Sequence, residues 1–417
     1  GYDAKDLNSI TLASTSAPFA DLQNTAIVAA ALRASDTIST SDTGASTRAA
    51  LSALNKSCIN GGTELLIASE RRRAKPGSLQ EMTYGSGAGA LVIGEGDDLI
   101  AKYLGGEALS AAFFDRFRKN GEAYDYQWEE RWIRDEGIGK LVPKAFKRLL
   151  EKINKKPEDI AHFGLSGGTR GGDKFAARKI GIDAEKLLPD FHMEVGNTGS
   201  AQPVLQLIAA LEKANPGDII VVAHFAQGVE LVAFEMQNKP ADTGRRGLAA
   251  SIADRIPETA YLKMLSFDGE IQLDWGMRAE KDQKTALPQQ YRSAEQMFGF
   301  VGGECPSCNA VQFPVLPSCV NCGASTENHK AVPLADAPAK VATITADWLQ
   351  YTQAPPLYMG LIQFDNGARM LMQVVDVDEG GIDVGTELEM TFRIKEHDKM
   401  RNYDRYFWKA VPKRSSK

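Results

Sequence analysis

Cysteine is scarce in this chain. There are five in 417 residues, and four of them (Cys305, Cys308, Cys319 and Cys322) fall within 18 residues of each other. So few thiols, so clustered, argue against a secreted disulfide scaffold and point to a metal knuckle in a reducing compartment. Cys58, where a helical pattern runs into a turn, reads as structural. Long apolar runs are also missing: none reaches the roughly 20 residues that a membrane helix requires. No leader pattern of charged, apolar and small residues opens the chain. Positive charge is in deficit, with 48 Lys and Arg against 54 Asp and Glu for a net charge of −6. That balance argues against nucleic acid as the main partner, because phosphate binding needs a clustered positive excess. The remaining composition, 43% hydrophobic and 24% charged, is ordinary for a globular chain. Together these features predict a cytoplasmic protein with no membrane segment, one large domain and at least one small one. The chain opens at Gly1 on what reads as an internal loop, so a preceding piece is expected.

Residues 1–237 alternate short apolar runs with helical patterns, which predicts an α/β layered domain. Buried strands are expected at Ser9–Ala13, Glu64–Ser69, Gly89–Gly94, Ile219–His224 and Leu231–Phe234, and helices at Ser46–Lys56, Lys140–Ile153 and Ala201–Ala214. The segments 43–69 and 196–224 repeat one unit: small residues open a helix, and a glycine turn leads back into an apolar strand. Two copies imply a pseudo-twofold domain with a site between its halves. Residues 238–300 read as a linker with helical segments, in which the charged Ala279–Arg292 is a solvated face. Residues 301–326 hold the cysteines. Residues 327–417 carry five strand-like runs: Lys340–Ala346, Leu357–Phe364, Arg369–Val377, Glu387–Ile394 and Arg405–Val411. Turn signals at Asp365-Asn-Gly and Glu379-Gly-Gly separate them, which predicts a small OB-fold β-barrel.

The strongest chemical signal is Cys305-Pro-Ser-Cys308, ten residues, then Cys319-Val-Asn-Cys322. Four thiolates at this spacing form a closed tetrahedral set for structural Zn²⁺, with no position left for catalysis. In Val195-Gly-Asn-Thr-Gly-Ser-Ala201 the small residues let a backbone approach a ligand, and Asn197 can either donate to a thioester oxygen or enolate or cap the next helix. The equivalent stretch of the first half, Ser41-Asp-Thr-Gly-Ala-Ser-Thr47, has no cysteine; Asp42, Thr43 and Ser46 read as its reactive side chains. His224 ends an apolar strand and can be a general acid or base or a satisfied core histidine; His192 is a weaker candidate. Tyr124–Glu136, dense in aromatics and charges, can line a pocket, make a subunit contact or be structural, and Glu70–Gly77 offers cations for a phosphorylated ligand or a solvated loop. The basic tail from Lys395 suits an anionic cofactor or a soluble end, and Gly167–Lys174 is glycine-rich without P-loop spacing.

Gly196-Asn-Thr-Gly-Ser-Ala201, Pro216-Gly-Asp-Ile-Ile-Val-Val222 and Tyr84-Gly-Ser-Gly-Ala-Gly-Ala-Leu-Val-Ile-Gly94 resemble the thiolase superfamily, in particular hydroxymethylglutaryl-CoA synthase and the third type of ketoacyl-ACP synthase. The cysteine ribbon followed by a barrel resembles the zinc-ribbon/OB-fold proteins that partner or fuse with such enzymes. The resemblance implies a duplicated α/β/α domain whose first strand and helix precede Gly1, then a rubredoxin-like ribbon and an OB-fold. It implies C–C bond chemistry on an acyl-CoA thioester, a homodimer or larger thiolase-type assembly, and a ribbon and barrel covering the acyl-CoA entrance. Matched by position, the family's nucleophilic cysteine falls at or near Thr43, its second-half histidine at Ser166, and the synthase glutamate near Thr15; only the asparagine stands, as Asn197. A threonine hydroxyl is a far weaker nucleophile than a thiolate unless a base activates it. The expected catalytic set is therefore Asn197, His224, Thr43 and Ser166, with aldol or retro-aldol chemistry ahead of an acyltransferase or Claisen-type synthase and of a non-catalytic scaffold.

Overall fold

The computed structural model describes residues 2–273, 286–350 and 352–414. The chain separates into two compact units. One comprises Ser35–Asp254 with the residues up to Ala26; the other runs from Arg255 onward and includes Ile27–Ala34.

The first unit is built on two four-stranded sheets. The order in the first is Ser39–Thr43, Ser9–Ala13, Glu64–Arg71, Ser86–Ile93, and in the second Ala101–Ser110, Gly228–Met236, Ile219–Phe225, Ile160–Gly167. The duplication expected from sequence is visible in the pairing. Ser9–Ala13 runs parallel to Glu64–Arg71, which is antiparallel to Ser86–Ile93. Ile160–Gly167 likewise runs parallel to Ile219–Phe225, which is antiparallel to Gly228–Met236.

The expected helices lie at Ala49–Asn60, Gly139–Ile153 and Gln202–Lys213. Ala49–Asn60 and Gln202–Lys213 each touch strands of both sheets and touch each other, so they form a helical layer between the sheets. Gln202–Lys213 is buried over most of its surface, as a helix covered on two sides must be. Gly139–Ile153 packs instead on Ala101–Ser110 and Gly228–Met236, with Val142, Phe146, Leu149 and Leu150 inward and its lysines outward. Ile219–Phe225 is buried at every residue, which is why it reads as a continuous apolar run rather than an alternating one.

One backbone crossing joins the halves. Asn197 N–H donates to Thr83 O at 2.7 Å and Gly85 N–H to Asn197 O at 3.1 Å. A β-carbon on Gly85 would stand 1.9 Å from Val195 O, so this crossing admits no side chain.

Of the 238–300 stretch, residues to Asp254, with the helix Leu248–Ala253, belong to the first unit; the second unit carries short helices at Tyr261–Phe267, Leu287–Arg292 and Ala294–Met297. Residues 279–285 of the charged segment lie outside the described residues. Val301–Glu304, Val311–Gln312 and Lys330–Pro333 form a three-stranded sheet around the cysteines. A closed five-stranded barrel follows, in the order Ala339–Asp347, Leu357–Phe364, Arg369–Val374, Tyr403–Pro412, Glu387–Asp398. Its core centres on Phe300, which contacts Phe313, Phe364, Phe407 and Trp408. Among the described residues, no helix is long and apolar enough to cross a membrane.

The crossing gives a direct test. Gly85→Ala is expected to lower the thermal midpoint, with a cost of at least about 1–3 kcal/mol for forced overpacking. Ala88→Gly, in the following strand Ser86–Ile93, should cost less than Gly85→Ala. Calorimetry of both variants checks this.

Candidate active site

A small, partly open cavity lies where the two sheets meet the crossing loop. Its lining includes Thr47, Arg72, Tyr84, Asp115, Arg116, Asn197 and His224. Residues next to the ends of strands and helices and in connecting segments of both halves supply these groups.

His224 lies near the end of Ile219–Phe225 and is almost wholly buried. Its Nε2 is 2.9 Å from Thr47 Oγ1, and its Nδ1 is 2.8 Å from Ser166 Oγ on the adjacent strand. Ser166 Oγ also donates to Ala223 O at 3.3 Å. Gly167 makes room for the ring: a β-carbon there would approach Nε2 to 3.1 Å and Phe225 O to 2.1 Å. Burial, together with the charges of Arg116, Arg72 and Arg48, pushes the imidazole down to about 3, so it is neutral at physiological pH.

Those guanidiniums belong to a buried cluster. Asp125 Oδ2 accepts from Arg72 Nη2 at 2.9 Å, Arg116 Nη1 at 2.6 Å and Tyr84 O–H at 3.0 Å, while Arg118 Nη1 stands 3.6 Å from Oδ1. Burial alone would raise the Asp125 carboxyl; Arg116 and Arg72 outweigh it and hold it below the ordinary range. Arg72 also stacks on the Tyr84 ring, 3.4 Å from its centroid. Burial pushes the Tyr84 phenol up to about 12, so it stays protonated and donates. Arg116 bonds Asp125 through Nη1 and is also part of the cavity lining.

Asn197 Oδ1 accepts from Arg72 Nη1 at 2.8 Å and from Gly199 N–H at 2.9 Å. Two donors on one amide oxygen fix the orientation of the group. Of the two readings of Asn197 from sequence, the geometry shows the cap: its oxygen accepts from Gly199 N–H, and the residue lines the cavity.

The remaining sequence candidates lie as follows. Ser166 is buried behind His224 rather than on the cavity wall. Thr43 ends the strand Ser39–Thr43, is half-buried, gives its carbonyl to Ser14 N–H, and does not line the cavity. Asp42 is turned to the start of Asn24–Leu32, where hydrogen bonds from Thr25 and Asn24 outweigh burial and hold its carboxyl low. Ser46 donates to Gln227 Oε1 at 2.9 Å, and Gln227 Nε2 in turn reaches Asp115. Thr15 does not stand alone: buried Glu70 accepts from its N–H, its hydroxyl, Ser16 Oγ and Ser200 Oγ. His192 lies away from the cavity. Sequence reading missed Thr47, the last residue of a stretch already singled out, and the pairing of Arg72 with Asp125 across 53 residues.

The four ribbon cysteines form a second centre. Their sulfurs lie within 4.8 Å of one another, with Cys305–Cys322 and Cys308–Cys319 each at 3.7 Å. Zinc at about 2.3 Å from four sulfurs gives tetrahedral edges of about 3.8 Å, so the donor set fits Zn²⁺ with no open position. Backbone N–H groups of Ser307 and Asn321 point at Cys305 and Cys319, each at 3.4 Å, as knuckle turns do.

Comparison with known proteins agrees with this architecture. Residues 150–237 match the family 3-Oxoacyl-[acyl-carrier-protein (ACP)] synthase III C terminal. Residues 298–327 match the ChsH2 rubredoxin-like zinc ribbon domain, and 332–393 the ChsH2 C-terminal OB-fold domain. The hydroxymethylglutaryl-CoA synthase of Methanocella arvoryzae is 30% identical over 278 residues, covering 64% of this chain and 78% of that protein. The Pyrococcus horikoshii enzyme of the same name is 27% identical over 261 residues, covering 61% and 74%. Among solved structures, an HMG-CoA synthase complexed with CoA superposes with a TM-score of 0.57 at 19% identity, covering 68% of this chain and 78% of that one. The 3-oxoacyl-(acyl carrier protein) synthase III of Pseudomonas aeruginosa gives 0.51 at 19%, covering 56% and 78%.

Two measurements follow from the centres. Elemental analysis should find about one zinc per chain, lost in Cys305→Ser together with order in the three-stranded sheet. His224 has its folded pKa lowered from 6.5 to about 3, so the unfolded state binds the extra proton between those values. Its contribution to stability is complete above about pH 6.5 and is lost as pH falls toward 3. Denaturant titrations at pH 7 and pH 4.5 should show His224→Gln with the shallower loss.

Proposed function

The chain belongs to the hydroxymethylglutaryl-CoA synthase family, within the thiolase superfamily, and from that premise we propose that it makes or breaks a C–C bond in a CoA thioester by aldol-type chemistry without an acyl-cysteine. Membership makes it an enzyme of acyl-CoA C–C chemistry; the aldol step is the finer reading. The observation that carries it is the cavity lining itself, which offers an imidazole, an oriented amide and guanidiniums but no thiol. An acyl-cysteine route needs a thiolate; an aldol route needs a base and donors for an oxyanion.

In the cleavage direction, a 3-hydroxyacyl-CoA gives up its hydroxyl proton toward His224. The Cα–Cβ bond breaks, and its electron pair moves into the thioester as an enolate while a carbonyl compound departs. The enolate then takes a proton at Cα and leaves as the shorter acyl-CoA. Synthesis is the reverse. Asn197 Nδ2 is the donor to the thioester oxygen as it becomes an enolate oxygen. Its rigidity matters, because a donor already held by Arg72 and Gly199 need not reorganise during reaction.

The weak basicity of His224 has a counterpart in the substrate. The field of Arg116, Arg72 and Arg48 that disfavours an imidazolium also lowers the pKa of any hydroxyl bound beside it. The zinc-ribbon cysteines stand outside this chemistry. Their role is to hold the ribbon sheet together.

Incubation of the full chain with a panel of 3-hydroxyacyl-CoAs, with product analysis and intact mass in parallel, tests the reading. Cleaved or condensed CoA products with an unmodified protein are expected. Asn197→Ala should lower kcat by about 10²–10³, the cost of an oxyanion donor, while Thr43→Ala should keep turnover. The absence of turnover on any acyl-CoA would sink the proposal.

A further inference from the structure

His224 does not face the cavity bare. Its Nε2 is covered by the hydroxyl of Thr47, at 2.9 Å, and both side chains line the cavity wall. Its Nδ1 is covered by the hydroxyl of Ser166, at 2.8 Å. All three residues are buried. A proton reaching this imidazole from a bound substrate therefore meets a hydroxyl first.

The direction of the chain of hydrogen bonds follows from what lies at its inner end. Ser166 has one hydroxyl proton, and Ala223 O, a pure acceptor, stands 3.3 Å away to take it. Ser166 then accepts from His224 Nδ1–H. A neutral imidazole with its proton on Nδ1 has a lone pair on Nε2, and Thr47 O–H donates to it. That arrangement leaves the Thr47 oxygen with lone pairs toward the cavity.

We infer that Thr47 is a catalytic proton relay, passing the substrate hydroxyl proton to His224, and that Ser166 is the positioning residue that sets the imidazole tautomer. The inference rests on the aldol-type reading above. The step balances without a further reactant: the substrate O–H bond breaks as a new O–H forms on Thr47, and the original Thr47 proton moves to Nε2. The product is an imidazolium beside an alkoxide, which collapses as the C–C bond opens. The proton returns by the same route when the enolate is quenched. The relay also accounts for a β-branched hydroxyl residue at this place: Thr47 starts the turn into Ala49–Asn60, where a restricted χ1 holds the oxygen toward the ring.

Two measurements on the zinc-loaded full chain test it. The first needs no turnover. In protein labelled with ¹⁵N in histidine, the His224 nitrogens, assigned by their loss in His224→Gln, should show a neutral ring with the proton on Nδ1 at pH 7. Ser166→Ala should move that proton toward Nε2. A wild-type ring protonated on Nε2 overturns the wiring. The second is kinetic. Thr47→Val, which keeps shape and loses the hydroxyl, should lower kcat by about 10²–10³ with KM little changed, the usual worth of acid–base assistance. Thr47→Ser should keep kcat within about tenfold of wild type and so excludes a folding defect as the cause. Undiminished kcat in Thr47→Val overturns the relay alone, and an acyl group trapped on Thr47 overturns it in favour of a hydroxyl nucleophile. A wild-type chain without turnover on any acyl-CoA removes the aldol reading and the relay together, whereas correct nitrogen shifts with turnover that ignores Thr47 leave the aldol reading standing.

Discussion

A buried guanidinium must meet a carboxylate, and in the first unit that requirement organises the cavity. Arg72 and Asp125 are both nearly without solvent contact and lie 53 residues apart, so bringing them together fixes the path of everything between. Breaking such a pair by removing one partner costs about 3–5 kcal/mol, because the other charge is left uncompensated. The same guanidinium holds the amide of Asn197, stacks on Tyr84 and adds to the field that keeps His224 neutral. Position, orientation and electrostatics at the cavity thus trace to one ion pair and the neighbours it recruits.

The fold was legible in the sequence because its signals are local and periodic. Leu357–Phe364 and Ser9–Ala13 stand at the predicted bounds, since turn residues punctuate both. The duplicated unit could be read because each copy couples a small-residue turn, a helix and an apolar strand at similar spacing. The four cysteines were readable because zinc demands a fixed donor geometry, and the 3.7 Å sulfur edges satisfy it.

The cavity was legible only in part. Asn197 and His224 stood out because each is a polar residue at a strand end or helix start flanked by apolar or small neighbours. Thr47 gave no such signal: it is one hydroxyl among several in Ser39–Thr47, and which of them meets the imidazole depends on the pitch of the turn before Ala49. A register shift of a few residues separates Thr43, at the strand end, from Thr47, at the cavity. The Arg72–Asp125 pair joins two segments read separately as a cationic loop and an aromatic-rich stretch. Long-range ion pairs leave no trace in periodicity, so the solvated-loop reading of Glu70–Gly77 gives way at Arg72 to a buried network.

The crossing of Gly85 over Val195–Asn197 works as a rivet made of main chain alone. A joint of that kind is indifferent to the chemistry of the side chains around it. The hydrogen bonds that hold it, Asn197 N–H to Thr83 O and Gly85 N–H to Asn197 O, involve no side-chain atom. Such a joint keeps the two halves in one relation without calling on any side chain.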